Sequence, residues 1–315
     1  MFRLQVLESV DSTNEVIKRA IEDGEPEGLA IRAYRQTGGY GRQGRAWKSP
    51  RGGMYESILL RPEVEMRELP TLALVVAIAV RRALASLVVD DQARRIRIKW
   101  PNDVVLVGGD FGADYSTRDT ALELGGHTPC SDSPALENSP LGCSRRAELR
   151  AAHARQAQGL QASQTNAPSI KNLYSKLAGI SSEVHAGGIC VGIGVNVEPP
   201  EDAMEVGGKN APAYLTDLGF GLTCEREAAI NAVGDAVLHE FEPLYRRWCD
   251  GGFAALSGEF AEHSMLEGRF VRMANQLGEV VCEGTVRGVD ASGRLLLRLG
   301  DGETKAVASG EVHLL

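Results

Sequence analysis

The segment Gln36-Thr-Gly-Gly-Tyr-Gly-Arg-Gln-Gly-Arg-Ala-Trp47 sets glycines at 38, 39, 41 and 44 beside Arg42 and Arg45 and closes on an indole. Glycine lets a backbone approach a ligand closely with its N–H groups exposed, and a guanidinium offers forked donors to phosphate oxygens. Such a loop can wrap an anionic nucleotide, with Trp47 offering a face to a base. The same composition also suits a solvated connection without any ligand, so the loop gains meaning only in company. That company is Lys99-Trp-Pro-Asn-Asp103, then Lys176-Leu-Ala-Gly-Ile180 with Glu183, then Gly192-Ile-Gly-Val-Asn196. Asn102 and Asp103 supply hard oxygens for Mg²⁺ and its triphosphate. Lys176 on a strand is a point charge able to neutralise a carboxylate as it attacks phosphorus. Taken singly, these three segments also read as a turn, a solvent-facing strand residue and a tight bend.

These residues need elements to hold them. Ser12 with Glu15 three residues later reads as a capping box opening a helix over about 13–23, striped by Val16, Ile17, Ala20 and Ile21 and ended by Gly24. Residues 29–35 and 54–61 alternate with period two, so the Gly/Arg segment joins two strands. Leu69, Leu72, Ala73, Val76, Ala77, Val80, Leu84 and Leu87 recur at helical spacing and predict a core helix over 70–88. RIRIKW, the VVL after Asp103 and GICVGIGVNV read as strands, the last fully buried. Residues 225–248 form a second amphipathic helix with Ala229, Val233, Val237, Phe241 and Leu244 on its apolar side. Beyond Leu266 short β-rich runs alternate with Ala-Ser-Gly and Gly-Asp-Gly turn signals, which suits a small barrel of the SH3 type. The expected domains are 1–265 and 266–315. Residues 107–172 are rich in Ser, Ala, Gln, Gly, Asn and Pro and read as a disordered insertion, with a marginal helix at 147–162.

The chain has 315 residues, enough for one large domain with its own core and a small one. Its 34 Lys+Arg against 42 Asp+Glu disfavour a nucleic-acid partner. The six cysteines lack the short paired spacing that holds zinc and read as reduced cytosolic thiols. The start MFRLQVLESV is no signal peptide, and the apolar run 69–80 is cut by Arg81 and Arg82, so a cytoplasmic protein without membrane contact is expected.

In combination and in this order, Asp11-Ser12-Thr13-Asn14, the 36–47 loop, Lys99–Asp103, Lys176–Ile180 and Gly192–Asn196 resemble the catalytic domain of biotin protein ligases. The likeness extends to Gly52-Gly53-Met54-Tyr55, Leu59-Leu60-Arg61-Pro62 and the terminal Ser309-Gly310-Glu311-Val312. It covers nearly everything except the insertion. The resemblance implies an α+β fold: a mixed-sheet catalytic domain of the class II synthetase-like type with a small C-terminal SH3-like β-barrel. It implies ATP-dependent activation of biotin to biotinyl-5′-AMP, with Mg²⁺, and transfer to a lysine of a biotin carboxyl carrier protein or domain, by a monomer or homodimer. Ser12, Thr13, Gln36, Gly39, Tyr40, Arg42 and Lys176 would then touch biotin. Arg42, Arg45, Trp47, Asn102, Asp103 and Asn196 would touch ATP, Asp103 would hold the metal, and Lys176 and Arg42 would be catalytic. For Ser12 and Thr13 the helix cap is a competing reading.

Three departures qualify the likeness. Tyr40 stands where many members carry arginine, Ser181 and Ser182 follow Ile180 where apolar residues are usual, and the insertion occupies a short hairpin. A hairpin tip accepts length cheaply, at only about 0.6 kcal/mol per doubling of the loop. The first motif begins at residue 11, which leaves no room for an N-terminal helix-turn-helix. The rivals are a lipoate or octanoate ligase or transferase of the same fold, a non-catalytic biotin-binding regulator, and a C-terminal barrel acting as an independent peptide-recognition module.

Overall fold

The computed structural model describes residues 2–108, 173–200, 212–275 and 277–315. The expected insertion, beyond its first two residues, and the helix at 147–162 lie outside them.

Seven strands form the larger sheet: β1 (Arg3–Leu7), β2 (Leu29–Ala33), β3 (Gly53–Leu60), β4 (Ile96–Lys99), β5 (Asp103–Val107), β6 (Tyr174–His185) and β7 (Gly188–Asn196). Their order is β1-β2-β3-β7-β6-β5-β4. Only β1 and β2 run parallel; every other neighbouring pair in this sheet is antiparallel, so the sheet is mixed. Strand β6 runs unbroken through Ser181 and Ser182, the serines that stand where apolar residues are usual. Ser181 is buried and 3.4 Å from the Asn14 amide, so its hydroxyl is spent inside the fold.

Side chains on a strand alternate between the two faces. The register pairs Ser57 with Gly192 and Gly192 with Ser181, which places odd residues of β3 and β6 and even residues of β7 on one face. That face is small and polar: Ser57, Ser181, Gly192, Gly194 and Gly179. The opposite face is aliphatic, with Ile58, Leu60, Val191, Ile193 and Val195 buried. The run GICVGIGVNV is buried as expected at every position but Gly194 and Asn196, and its two faces differ, glycine-rich on one side and aliphatic on the other.

Helix α1 (Thr13–Glu22) covers the polar face at β2, β3 and β7, packing Ile17 and Ile21 on Leu29, Ile31, Leu59 and Cys190. On the aliphatic side lies α2 (Leu72–Ser86), followed by the single turn α3 (Asp90–Ala93). Residues Leu69–Ser86 are long and apolar enough to cross a membrane. Here α2 is the core helix, with ten of its residues buried between the sheet and α4 (Arg226–Gly251). A helix apolar on every side is one that packs on every side. Helix α4 extends past the expected end at 248 and runs through Pro243, because Phe241, Leu244, Tyr245 and Trp248 stay buried on both sides of it. Tertiary packing here outweighs the proline penalty.

After α5 (Ser257–His263) come β8 (Phe270–Ala274), β9 (Val280–Val289), β10 (Leu295–Arg298), β11 (Thr304–Val307) and β12 (Glu311–Leu314). They pair antiparallel throughout in the order β11-β10-β9-β8-β12, the small SH3-like sheet expected. Gly293 and Gly302, at the two anticipated turns, have φ of 73° and 88°, where a side chain would be strained. Several contacts join the C-terminal part of the chain to the larger sheet. The Trp100 indole N–H donates to the Gly293 carbonyl at 2.9 Å, and the Met265 N–H to the Ile98 carbonyl at 2.9 Å.

Candidate active site

Residues 12–14 enter α1 over the polar face of the sheet, and all three are buried. The expected capping box does not form, since Ser12 makes no side-chain cap to the helix. Gln36 takes that role from the next connection. Its Oε1 accepts the Thr13 N–H at 2.8 Å and the Thr13 hydroxyl at 3.0 Å, and its Nε2 donates to Ser49 Oγ at 2.9 Å. The Ser57 hydroxyl lies 2.7 Å from Thr13 Oγ1 and 2.6 Å from Asn14 Oδ1. With its capping duty gone, Ser12 Oγ is a buried hydroxyl without a hydrogen-bond partner among the described residues. An unpaired buried polar atom costs about 1–3 kcal/mol, so its natural partner is a ligand.

The segment expected as a plain loop is a small hairpin. Tyr40 pairs across it with Ala46, the Gly41 N–H donates to the Arg45 carbonyl at 2.8 Å, and the Trp47 N–H donates to the Gly39 carbonyl at 2.9 Å. A 3₁₀ turn at Arg42–Gly44 forms its tip. Gly39 is tied down by crowding, because a Cβ there would meet Gln36 Nε2 at 2.8 Å and the Trp47 carbonyl at 2.9 Å. The Trp47 ring lies on bare sheet: a Cβ at Gly179 would meet it at 2.8 Å and one at Gly194 at 2.9 Å. Its indole nitrogen is buried and finds no acceptor among the described residues.

Lys176 reaches this face through an irregularity. The β5–β6 register shifts between Val104, opposite Ala178, and Val105, opposite Lys176, so one extra β6 residue is accommodated there. Strict alternation would turn Lys176 to the aliphatic side; the bulge re-aims it to the side of Gly179. Its ammonium sits 2.7 Å from Asp103 Oδ1 and 4.8 Å from the Trp47 ring centroid. The Lys176 carbonyl accepts from Asn196 Nδ2 at 3.0 Å and from the Ala213 N–H at 2.9 Å. Asn196 thus props the backbone that carries the lysine.

Asn102 and Asp103 open β5. The Asn102 amide donates to the Ile180 carbonyl at 2.7 Å, and its Oδ1 lies 3.4 Å from an Arg42 nitrogen. Burial lowers the Arg42 guanidinium from its ordinary range, and the Asp103 charge works against that shift. Burial likewise lowers Lys99, whose ammonium is 5.5 Å from the Tyr174 ring centroid. Arg42, Trp47, Asn102, Asp103 and Lys176 are therefore brought together at one site, although they come from three separate stretches of chain. Arg45 is directed elsewhere: it pairs with Glu311 of β12 at 2.5 Å and is well exposed. The Tyr40 hydroxyl is engaged by Glu15 and Lys18 of α1.

Sequence reasoning gave no site role to Ser57, Ser181, Asn14 and Ser49, which extend the polar network beside Thr13 and Gln36. A signal for the first two existed: serine on the same strand face as the glycines, in strands otherwise aliphatic.

Chemically, the cleft joins a polar pocket to a cationic one. No group of three His, Cys, Asp or Glu side chains that could hold a metal by itself occurs among the described residues. A cation here would depend on Asp103 and on oxygens brought by a phosphate ligand, which is the way Mg²⁺ is usually held.

Residues 6–112 match the biotin/lipoate A/B protein ligase family, and residues 268–315 match the biotin protein ligase C-terminal domain. A biotin--[acetyl-CoA-carboxylase] ligase of Mycobacterium tuberculosis is 24% identical over 99% of this chain and 89% of its own length. The bifunctional ligase/repressor BirA of Bacillus subtilis is 34% identical over 102 residues, a match spanning 31% of this chain and 30% of that protein. In fold, the chain is similar to the Aquifex aeolicus biotin protein ligase solved with biotin and ATP. The TM-score is 0.63 at 23% identity, over 100% of this chain and 99% of that one.

Proposed function

We infer the reaction from one premise: the chain belongs to the biotin protein ligase branch of the biotin/lipoate A/B protein ligase family. It activates biotin with ATP to biotinyl-5′-AMP and passes the biotinyl group to a lysine of a carrier protein. The observation that carries this reading is the convergence of Arg42, Asn102, Asp103, Lys176 and Trp47 on one site beside the buried Ser12 and Thr13 and the half-buried Gln36.

Ser12, Thr13, Gln36 and the Gly39 backbone hold the biotin ring system and its chain; the Ser12 hydroxyl, without a partner among the described residues, supplies a hydrogen bond to it. Lys176 lies between the carboxylate of biotin and the α-phosphate, offsetting their mutual repulsion. A biotin carboxylate oxygen attacks the α-phosphorus, the bond to the β-phosphate oxygen breaks, and pyrophosphate leaves. Positioning and charge neutralisation carry such a step. Arg42 faces the phosphates from the hairpin tip and Trp47 faces the adenine. Asp103 is the carboxylate that would hold Mg²⁺, which when bound spreads the charge of the triphosphate. In the second step the acceptor amine attacks the acyl carbonyl of the mixed anhydride, an amide forms, AMP departs and the amine proton is lost to solvent. The covering hairpin keeps water from the anhydride in the interval.

The acceptor is a biotin carboxyl carrier domain of a carboxylase, the class named for the Mycobacterium tuberculosis relative. ATP use and the four free thiols among the described residues, Cys190, Cys224, Cys249 and Cys282, suit a cytoplasmic setting. The C-terminal match favours biotin over lipoate or octanoate. The deciding experiment is the mass of a carrier domain incubated with the protein, ATP, Mg²⁺ and biotin. One biotinyl group is expected with the parent, and a loss of roughly a hundredfold or more in rate with Lys176→Ala. An unmodified carrier with the parent, or equal rates for the two proteins, would refute the assignment.

A further inference from the structure

The Gly39–Trp47 hairpin is rich in glycine, and few side chains fasten it to the body of the protein. Arg42 and Arg45 tie its tip, to Asn102 and Glu311. Near its root one side chain does more. The Tyr40 hydroxyl is 2.5 Å from Glu15 Oε1 and 2.7 Å from Lys18 Nζ, both on α1. Lys18 continues the chain of contacts to β6, where its ammonium meets Glu183 Oε2 at 2.6 Å, and it also lies 5.1 Å from the Tyr40 ring centroid. The hairpin is thereby bound through one phenol to the helix that carries Thr13 and Asn14 and to the strand that carries Lys176.

We propose that Tyr40 is a positioning residue that anchors this hairpin to α1 and β6, holding Arg42 and Trp47 over the nucleotide so that the acyl-adenylate is retained. The proposal rests on the reading of the site given above.

The chemistry of the anchor suits a permanent contact. Burial and the Glu15 carboxylate push the phenol up to about 12, so it keeps its proton to donate. The Tyr40 hydrogen bond, opposed by burial, lowers Glu15 and keeps it an acceptor. Lys18 is raised despite its partial burial, through Glu183 first and Tyr40 next. All three groups therefore hold one protonation state across the range in which a cell operates, and hydrogen bonds to charged partners are the stronger kind. The geometry transmits the constraint: Tyr40 pairs with Ala46, Trp47 follows Ala46, and Arg42 is two residues on at the tip. A hairpin freed at Tyr40 lifts both groups together.

The test uses the full chain, with Tyr40→Phe, which keeps the ring, Lys18→Gln, and the double variant. Trypsin cuts after Arg42 and Arg45, and the rate of nicking there reports on the hairpin without any ligand chemistry. Each single variant should be nicked roughly fivefold faster or more, the size expected for losing a charge-assisted hydrogen bond at a partly exposed site. The double variant should be no faster than the faster single one, because both act through one contact. Release of preformed biotinyl-adenylate should quicken in parallel, with KM for ATP rising more than kcat falls. Nicking and release within twofold of the parent, in variants melting at the parent temperature, would overturn the anchor. Should either variant melt early, the remaining one decides by the same two rates. If the parent forms no adenylate from biotin, the assigned reaction fails, while the nicking rates still decide the role of Tyr40.

Discussion

At Gly194, one methyl group separates a stacking surface from a collision. A Cβ there would lie 2.9 Å from the Trp47 indole, whose ring is confined between the sheet and the Lys176 ammonium 4.8 Å from its centroid. Gly194→Ala should therefore lift Trp47 while leaving the strand pairing intact. A misplaced binding group about 1 Å from its proper position can cost on the order of a hundredfold in rate. The expected outcome is a KM for ATP raised about tenfold or more at unchanged biotin affinity, checked by adenylate-formation kinetics with each substrate varied in turn. Unaltered ATP kinetics would remove Trp47 from the nucleotide pocket. The same residue-level logic explains Ser12, which could be read from sequence as a cap because it precedes a helix. Gln36, 24 residues away in the chain, takes over the capping and leaves the hydroxyl without a partner among the described residues.

Among elements, the sheet and α4 are locked by a buried ion pair behind the site. Arg32 of β2 stands opposite Glu56 of β3, 2.8 Å away, with both side chains essentially inaccessible at 1% and 0% exposure. Asn231 and Asp235 of α4 accept from Arg32 Nη1 at 3.2 and 3.0 Å, Gly234 gives the guanidinium room to enter, and Nη2 finds no acceptor among the described residues. Burial pushes the Glu56 carboxyl up to about 7 in spite of Arg32. Removing one partner of such a pair leaves a charge stranded, a loss of about 3–5 kcal/mol, whereas replacing both by apolar residues is often neutral. Urea titration of Arg32→Met should show that loss, and Arg32→Met with Glu56→Met should recover most of it. A single variant as stable as the parent would deny the pair its role.

The elements were largely legible in the sequence, since 3.6-residue and two-residue periodicities survive in α1, α2, α4 and most strands. The chemistry-bearing motifs were legible as well, because glycine, arginine and Lys-Trp-Pro-Asn-Asp keep their local spacing. What was not legible depends on register between distant strands. The bulge that turns Lys176 toward Gly179, the partition of GICVGIGVNV into a glycine face and an aliphatic face, and the direction of Arg45 toward β12 all arise from pairings that no local pattern encodes.

For the molecule as a whole, the small sheet is not an appendage. The Trp100 indole hydrogen-bonds Gly293, Ile98 bridges to Ser264, and α5 packs against both β4 and β9. His263 closes α5 at this junction, facing Arg81 of α2, Arg97 of β4 and the nearby Glu262 and Glu259. Burial first, then the two arginines, lowers its pKa below the ordinary 6.5. The folded state thus binds fewer protons than the unfolded one, so the contribution is fully present above pH 6.5 and is lost as pH falls through the lowered value. Melting curves between pH 7.5 and about 5 should show His263→Gln losing less of its Tm on acidification than the parent. Identical slopes would show that His263 does not couple the junction to pH.

The three indoles divide the labour of light. Trp100 and Trp248 are sunk in the interior with their N–H groups fixed on Gly293 and Thr71, and they emit a steady background that changes only when the protein unfolds. Trp47 alone is half-buried beside a cation, with a nitrogen still seeking an acceptor. The protein therefore carries an intrinsic fluorophore at the mouth of its cleft: emission quenched on addition of nucleotide belongs to that one ring, and a Trp47→Phe variant supplies the blank.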